Sequence, residues 1–299
     1  MNNFWKTIIF LGCILLLMGV GVVASYLQAE AFIHNPPERR SAEVQTPADY
    51  RMTYEDLELK TQDGLRLAAW YVPSHNRAAV ILIHGYKSNR TSMLGRAQML
   101  ARHGYGILLI DLRTHGKSDG EIITFGLKEV QDAEAAYRYL LTRPDVDADK
   151  IGALGCSMGG TVALLSAAQN PAIKAVVSES TFAELSDAIP SAVANTGLPP
   201  ILFAPFVEWF AEKSGGFDAS QVSAIDHIRE ISPRPVFIMQ GGKDLVVIPE
   251  SGKRLYEAAG EPRELWWEPN LGHTAFAEEQ PAAYEQRVAA FFDHYLLSK

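Results

Sequence analysis

The apolar positions of this chain change period several times, and each change marks an element. Thr7 to Leu27 carries no charge, and as a helix it is long enough to cross a hydrocarbon core about 30 Å thick. Ala29 to Tyr50 then mixes prolines, charges and alanines with little periodicity, which predicts a linker. Asp56 to Lys60 alternates, Asp63-Gly64 supplies a turn, and Leu65 to Val72 is strand-like again, so an antiparallel hairpin opens a folded domain near Met52. Ala79 to Ile83 and Ile107 to Ile110 are continuous apolar runs, too short for helices and suited to strands buried on both faces of a parallel sheet. Thr91 to His103 between them has helical spacing and stops at Gly104; Lys128 to Leu141 is amphipathic and closes before Pro144. Ile151 to Leu154 and Ala175 to Val177 continue the alternation, which predicts right-handed crossovers and a mostly parallel, doubly wound sheet with helices on both faces.

The rhythm breaks between residues 182 and 231. Prolines at 190, 199, 200 and 205 and the aromatics Phe203, Phe206, Trp209, Phe210 and Phe217 crowd this stretch, which reads as a small inserted lid. Pro235 to Met239 resumes the sheet, Leu265 to Trp267 supplies a last strand, and Ala282 to Leu297 is a closing amphipathic helix. The expected organisation is an anchor over 1–28, a linker over 29–51 and one α/β domain over 52–299.

The stretch with the clearest chemistry is Gly155-Cys156-Ser157-Met158-Gly159-Gly160. A short strand ends at a glycine, a serine follows between small residues, and an Ala/Leu-rich helix begins at once. A sharp strand-to-helix turn of this kind exposes the serine hydroxyl, and glycines at 155 and 159 leave room for the backbone to pass closely. The free N–H groups of the following helix point toward an oxyanion formed beside Ser157. In open α/β sheets chemistry gathers at the carboxyl ends of the strands, where Asp244 and His273 also fall. Asp111 ends a strand too, but its Asp-x-Arg-x-x-Gly setting reads as turn scaffolding, so Asp244 is the preferred acid. His84 and His115 read as structural hydrogen-bonders.

Composition narrows the class without changing this picture. The 299 residues are 47% apolar with a net charge of −8, enough to bury a large core. The acidic balance and lack of a long Lys/Arg run argue against a nucleic-acid partner. Cys13 and Cys156 imply no disulfide framework, and Cys156 reads as a small buried hydrophobe. No metal-ligand spacing or phosphate-cradling loop is present, so no cofactor and no metal are expected. The amino-terminal run is preferred as a retained anchor over a cleaved signal ending at Val22-Val23-Ala24, because signal cores are shorter. Lys6 directly before it favours a domain outside the cytoplasm.

With these residues in place, residues 52–297 resemble the α/β-hydrolase superfamily, particularly its serine hydrolases of the lysophospholipase and acylaminoacyl-peptidase-like branches. The resemblance rests on His84-Gly85-Tyr86, the run Asp111 to Gly120, Gly155 to Gly160, Gly241-Gly242-Lys243-Asp244, and Gly272-His273, in the family's order. It implies Ser157 as nucleophile, Asp244 as acid and His273 as base. It also implies an oxyanion hole from the backbone N–H groups of Met158 and Tyr86, although the longer glycine run that some esterases carry after this histidine is missing here. Tyr86, and Phe203 and Phe206 within the lid, are the expected substrate-binding side chains. The activity implied is hydrolysis of small-molecule or lipid carboxylic esters through an acyl-enzyme; a peptidase or amidase uses the same groups, and a non-catalytic membrane-tethered module is the remaining alternative.

Overall fold

A computed structural model describes residues 3–298. The amino-terminal helix α1 runs over Asn3–Ile33 and leads into a sheet of eight strands: β1 (Glu55–Lys60), β2 (Arg66–Val72), β3 (Ala79–Ile83), β4 (Gly106–Ile110), β5 (Ile151–Cys156), β6 (Ala175–Glu179), β7 (Val236–Gly241) and β8 (Arg263–Glu268). Their spatial order is β1-β2-β4-β3-β5-β6-β7-β8. The first two form the expected hairpin, β2 pairs antiparallel with β4, and all later neighbours are parallel. The crossovers are α2 (Leu94–Arg102), α3 (Val130–Leu140) and α4 (Met158–Gln169). Between β6 and β7 the lid supplies α5 (Ile189–Ala194), α6 (Pro200–Gly215) and α7 (Ala224–His227), and α8 (Glu250–Ala258), α9 (Phe276–Glu279) and α10 (Pro281–Phe292) complete the chain.

The continuous apolar runs have a simple cause. In β3, Ala79, Ile81 and Ile83 enter one core with α3, α4 and α8, while Val80 and Leu82 enter the other with α2 and α10. Successive side chains point to opposite faces, so a strand covered on both sides must be apolar at every position.

The amino-terminal region departs from the expected boundaries. At 1.5 Å per residue the 31-residue α1 is about 46 Å long, roughly 16 Å more than a hydrocarbon core. The excess lies on the domain: Gly21, Ser25, Ala29 and Ile33, four residues apart, form its buried stripe. Phe203 of α6 fills the space beside Gly21, where a Cβ would collide with its ring, and Tyr26 meets Phe210 edge-on at 5.3 Å. Residues 29–51 are accordingly no free linker. Asn35 is buried and donates to the Thr114 carbonyl at 3.0 Å. Arg40 spreads its guanidinium over the carbonyls of Asn35, Ser118 and Gly120, and Glu43 joins Arg90 at 2.7 Å and Lys117 at 2.9 Å. The charges of the expected linker thus lie against the turn after β4 and, through Arg90, the segment after β3.

Candidate active site

Ser157 sits between β5 and α4 with φ 55° and ψ −127°. This is a conformation that L-residues rarely adopt, and it is held by the surroundings: its N–H donates to the Glu179 carbonyl at 2.8 Å, and α4 starts at the next residue. A Cβ at Gly155 would strike the backbone of Gly159, and one at Gly159 would strike the Ile83 carbonyl, so the tight turn needs both glycines. Met158 is the first residue of α4, and its N–H has no carbonyl one turn back to bond. The His84-Gly85-Tyr86 turn closes on the same point, since a Cβ on Gly85 would lie 3.3 Å from that of Ser157.

His273 and Asp244 meet although 29 residues separate them. The ring Nδ1 lies 2.7 Å from Asp244 Oδ2, with the carboxylate fully buried and the imidazole one-fifth exposed. The carboxylate is held from its other side as well: Oδ1 accepts from the Val246 and Val247 N–H groups at 2.9 Å each, and Oδ2 accepts from Gln240 Nε2 at 3.2 Å. Thr274, next to the histidine, has φ 51° and donates its N–H to Ser180 Oγ at 3.0 Å. Asp111, the rival acid, instead accepts the Arg90 and Lys117 N–H groups at 2.8 and 2.9 Å. His84 accepts from Leu112 N at 3.1 Å and His115 accepts from Lys87 N at 3.0 Å. Burial, reinforced by the neighbouring His84, drives the His115 ring down to about 3, so it stays neutral and structural.

A buried polar cluster lies behind the serine. Glu179 Oε2 accepts from Arg96 Nη2 at 2.7 Å, from the Tyr284 hydroxyl at 3.3 Å and from Cys156 Sγ at 3.4 Å. Arg96 Nη2 also reaches the Thr274 carbonyl at 3.3 Å. The Arg96–Glu179 ion pair thus joins the end of β6, whose Glu179 bonds the Ser157 N–H and the Cys156 thiol, to the loop that carries His273. Burial pushes the Cys156 thiol up, which removes its thiolate character. Arg96→Met would leave Glu179 buried without its cation, and the expected loss is about 3–5 kcal/mol of stability by denaturant unfolding. A loss below about 1 kcal/mol would mean that water already reaches the carboxylate.

Ser157 opens into a cavity of about 230 Å³ lined by Phe32, Tyr86, Phe125, Met158, Phe182, Ala188, Ser191, Ala192, Asn195, Val246 and Val247. None of these carries a charge. Tyr86 is among them, but Phe203 and Phe206 are not: Phe203 is drawn away into the gap beside Gly21, and Phe206 lies on the same helix with its ring partly exposed. The wall they were expected to form comes from α1. Phe32 stacks on Phe125 with ring centres 4.5 Å apart, and its carbonyl accepts the Tyr86 hydroxyl at 2.8 Å. A lone phenylalanine at the end of an apolar helix gives no sign of this in sequence, and neither do Ser191 and Asn195 of the lid.

The model of the X-Pro dipeptidyl-peptidase (S15) family matches residues 46–199, just over half of the 299 residues. The chain belongs to this family of α/β-hydrolases. The hydrolase is 27% identical to the α/β hydrolase domain-containing protein WAV2 of Arabidopsis thaliana, over 81% of its own length and 78% of WAV2. It is 31% identical to the uncharacterized protein MT2364 of Mycobacterium tuberculosis, covering 73% and 72% of the two chains. Among solved structures, the Pyrococcus furiosus esterase Pf2001 superposes with a TM-score of 0.76 at 29% identity, over 88% of the hydrolase and 98% of the esterase. These likenesses establish an α/β-hydrolase superfamily serine hydrolase.

Proposed function

We propose that the hydrolase cleaves carboxylic esters through an acyl-enzyme, with Ser157 as nucleophile, His273 as base and Asp244 as the acid that orients it. The observation that carries this reading is the 2.7 Å contact between His273 Nδ1 and a buried Asp244 carboxylate, beside an apolar cavity holding a serine at φ 55°. Serine is a poor nucleophile at neutral pH. In the proposed cycle, His273 Nε2 accepts the Ser157 proton as Oγ attacks the ester carbonyl, and the Met158 and Tyr86 N–H groups bind the oxyanion. The imidazolium then protonates the leaving alkoxide, which departs as the alcohol. Water repeats the sequence on the acyl-enzyme, releasing the acid and returning the proton to Ser157.

The cavity favours esters. Its 230 Å³ is below the 300–1,000 Å³ or so that encloses a whole drug-sized ligand, so it suits one apolar arm, the acyl chain. No lining carboxylate is available to hold the free ammonium that an enzyme cutting from a peptide's amino terminus must recognise. The family model's own description supports the second reading, a peptidase. A series of p-nitrophenyl esters set against aminoacyl p-nitroanilides, with fluorophosphonate labelling, tests both. Labelling, and a rate that depends on acyl length and exceeds that on anilides, is expected. Faster anilide hydrolysis would overturn the ester reading, and a flat length profile the acyl arm. Helix α1, apolar and exposed from Phe4 to Val20, supports retention as a membrane anchor. Lys6 supports a domain outside the cytoplasm, which protease accessibility compared in intact and opened cells would reverse if the inner membrane alone protected the domain.

A further inference from the structure

We propose that the outward face of α6 seats in the lipid surface beside α1, so that the mouth of the active-site cavity stands at headgroup level and admits substrate from the bilayer. This rests on the anchor and ester readings above and adds the surface that presents the substrate. The face is built from Ile201, Leu202, Pro205, Phe206 and Trp209, on the side of α6 opposite its buried Phe203, Val207 and Ala211. Ile201 is 88% exposed, Leu202 50% and Trp209 51%. A contiguous apolar surface of this kind marks an interaction site on a soluble domain.

What covers it follows from its continuity with α1. The two helices run parallel, because Gly21 meets Phe203 and Tyr26 meets Phe210. Ile201 and Leu202 therefore lie toward the amino-terminal half of α1, the half exposed along its whole length and suited to lipid. Polarity rises in the opposite direction on both helices together. On α1 the first charge after Lys6 is Glu30; on α6, Glu208 is half-buried, Glu212 is spent on the Ala219 N–H at 2.9 Å, and the first exposed charge is Lys213. Tyr26, Trp209 and Phe210 cluster at the changeover, the level at which aromatic side chains gather at a bilayer interface.

The cavity mouth sits just beyond that level. Gln28 Nε2 donates to the Ala192 carbonyl at 2.7 Å, which fixes the rim formed by Ala192 and Asn195 about seven residues, or roughly 10 Å, along α1 from Gly21. Val246, another rim residue, is 46% exposed beside Leu245 at 86%. An ester whose chains stay in the bilayer can then present its carbonyl to Ser157 without leaving the membrane.

The test uses the full chain in phosphatidylcholine vesicles, in a Cys13→Ser background, with an environment-sensitive fluorophore on Ile201→Cys or, as the comparison, on Lys213→Cys. Acyl-chain nitroxide lipids are expected to quench the label at 201 several-fold more than that at 213. Equal quenching overturns the proposal, as does energy transfer between labels on separate chains that survives dilution with lipid, which would mean that a second copy covers the face. Independently, Ile201→Glu/Leu202→Glu is expected to slow hydrolysis of a vesicle-borne long-chain ester by about tenfold or more, while the rate on soluble p-nitrophenyl acetate stays within about twofold. Equal losses on both substrates would overturn it. If the wild type hydrolyses neither ester while position 201 is quenched, the ester reading fails and the docking surface stands.

Discussion

Ser157→Ala is expected to lower turnover by about 10⁶-fold without disturbing the fold, the scale on which a serine hydrolase loses rate when its nucleophile is removed. The substitution keeps what holds position 157 in place: the N–H bond to the Glu179 carbonyl, the β-carbon beside Gly85 and the strained φ of 55°, which alanine shares. Only Oγ goes. The cavity has a second serine, Ser191, but that residue lies on α5 rather than at the start of α4, whose N–H groups are the proposed oxyanion donors. His273→Ala should cost a similar factor, and Ser157→Ala/His273→Ala little more than either alone, because a base has no role once its nucleophile is absent. Steady-state kinetics of the three variants, with melting temperatures to confirm folding, decide the point. A Ser157→Ala enzyme within tenfold of wild type would remove acyl-enzyme chemistry from this site.

The parts of this molecule that were legible in advance share a property: their pattern has one physical solution. Five consecutive apolar residues at Ala79 to Ile83 cannot be half-exposed, so they must be a strand covered on both faces, and the repetition of such runs implies the parallel sheet. The Gly155 to Gly159 turn is equally constrained, because only glycine fits against the Gly159 backbone and the Ile83 carbonyl. Where a pattern has two solutions the sequence is silent. An uncharged helix can meet lipid or protein, and α1 is exposed along its first half and packs on the domain along its second. The spacing of Gly21, Ser25 and Ala29 was the available signal, since small residues four apart let another helix approach closely. That contact takes Phe203, an expected substrate-binding side chain, to Gly21, while Phe32, at the end of the same helix, lines the cavity. The charges at 38–43 were ambiguous for a similar reason: whether Arg40 is solvated or fans over the carbonyls of a turn depends on where residues 116–120 fold, which is a long-range fact.

Asp244→Asn is expected to reduce kcat by up to about 10⁴-fold with little change in KM, through the tautomer of His273 rather than through lost packing. The carboxylate sits among donors only. Oδ1 faces two backbone N–H groups, of Val246 and Val247, and Oδ2 faces the Gln240 amide and the Nδ1–H of His273. An asparagine must turn its NH₂ toward one side or the other. Toward the backbone it would oppose two N–H groups that cannot move, so the oxygen stays there and the NH₂ is directed at the imidazole. Nδ1 must then be the acceptor, which places the ring proton on Nε2, the nitrogen that has to take the proton from Ser157. Because the substitution is isosteric and the cavity wall is untouched, substrate should bind as before while attack slows, and fluorophosphonate labelling should slow with it. Near-normal turnover would mean that another group orients His273. Asp111 is poorly placed to substitute, since its two carboxylate oxygens are engaged by the N–H groups of Arg90 and Lys117.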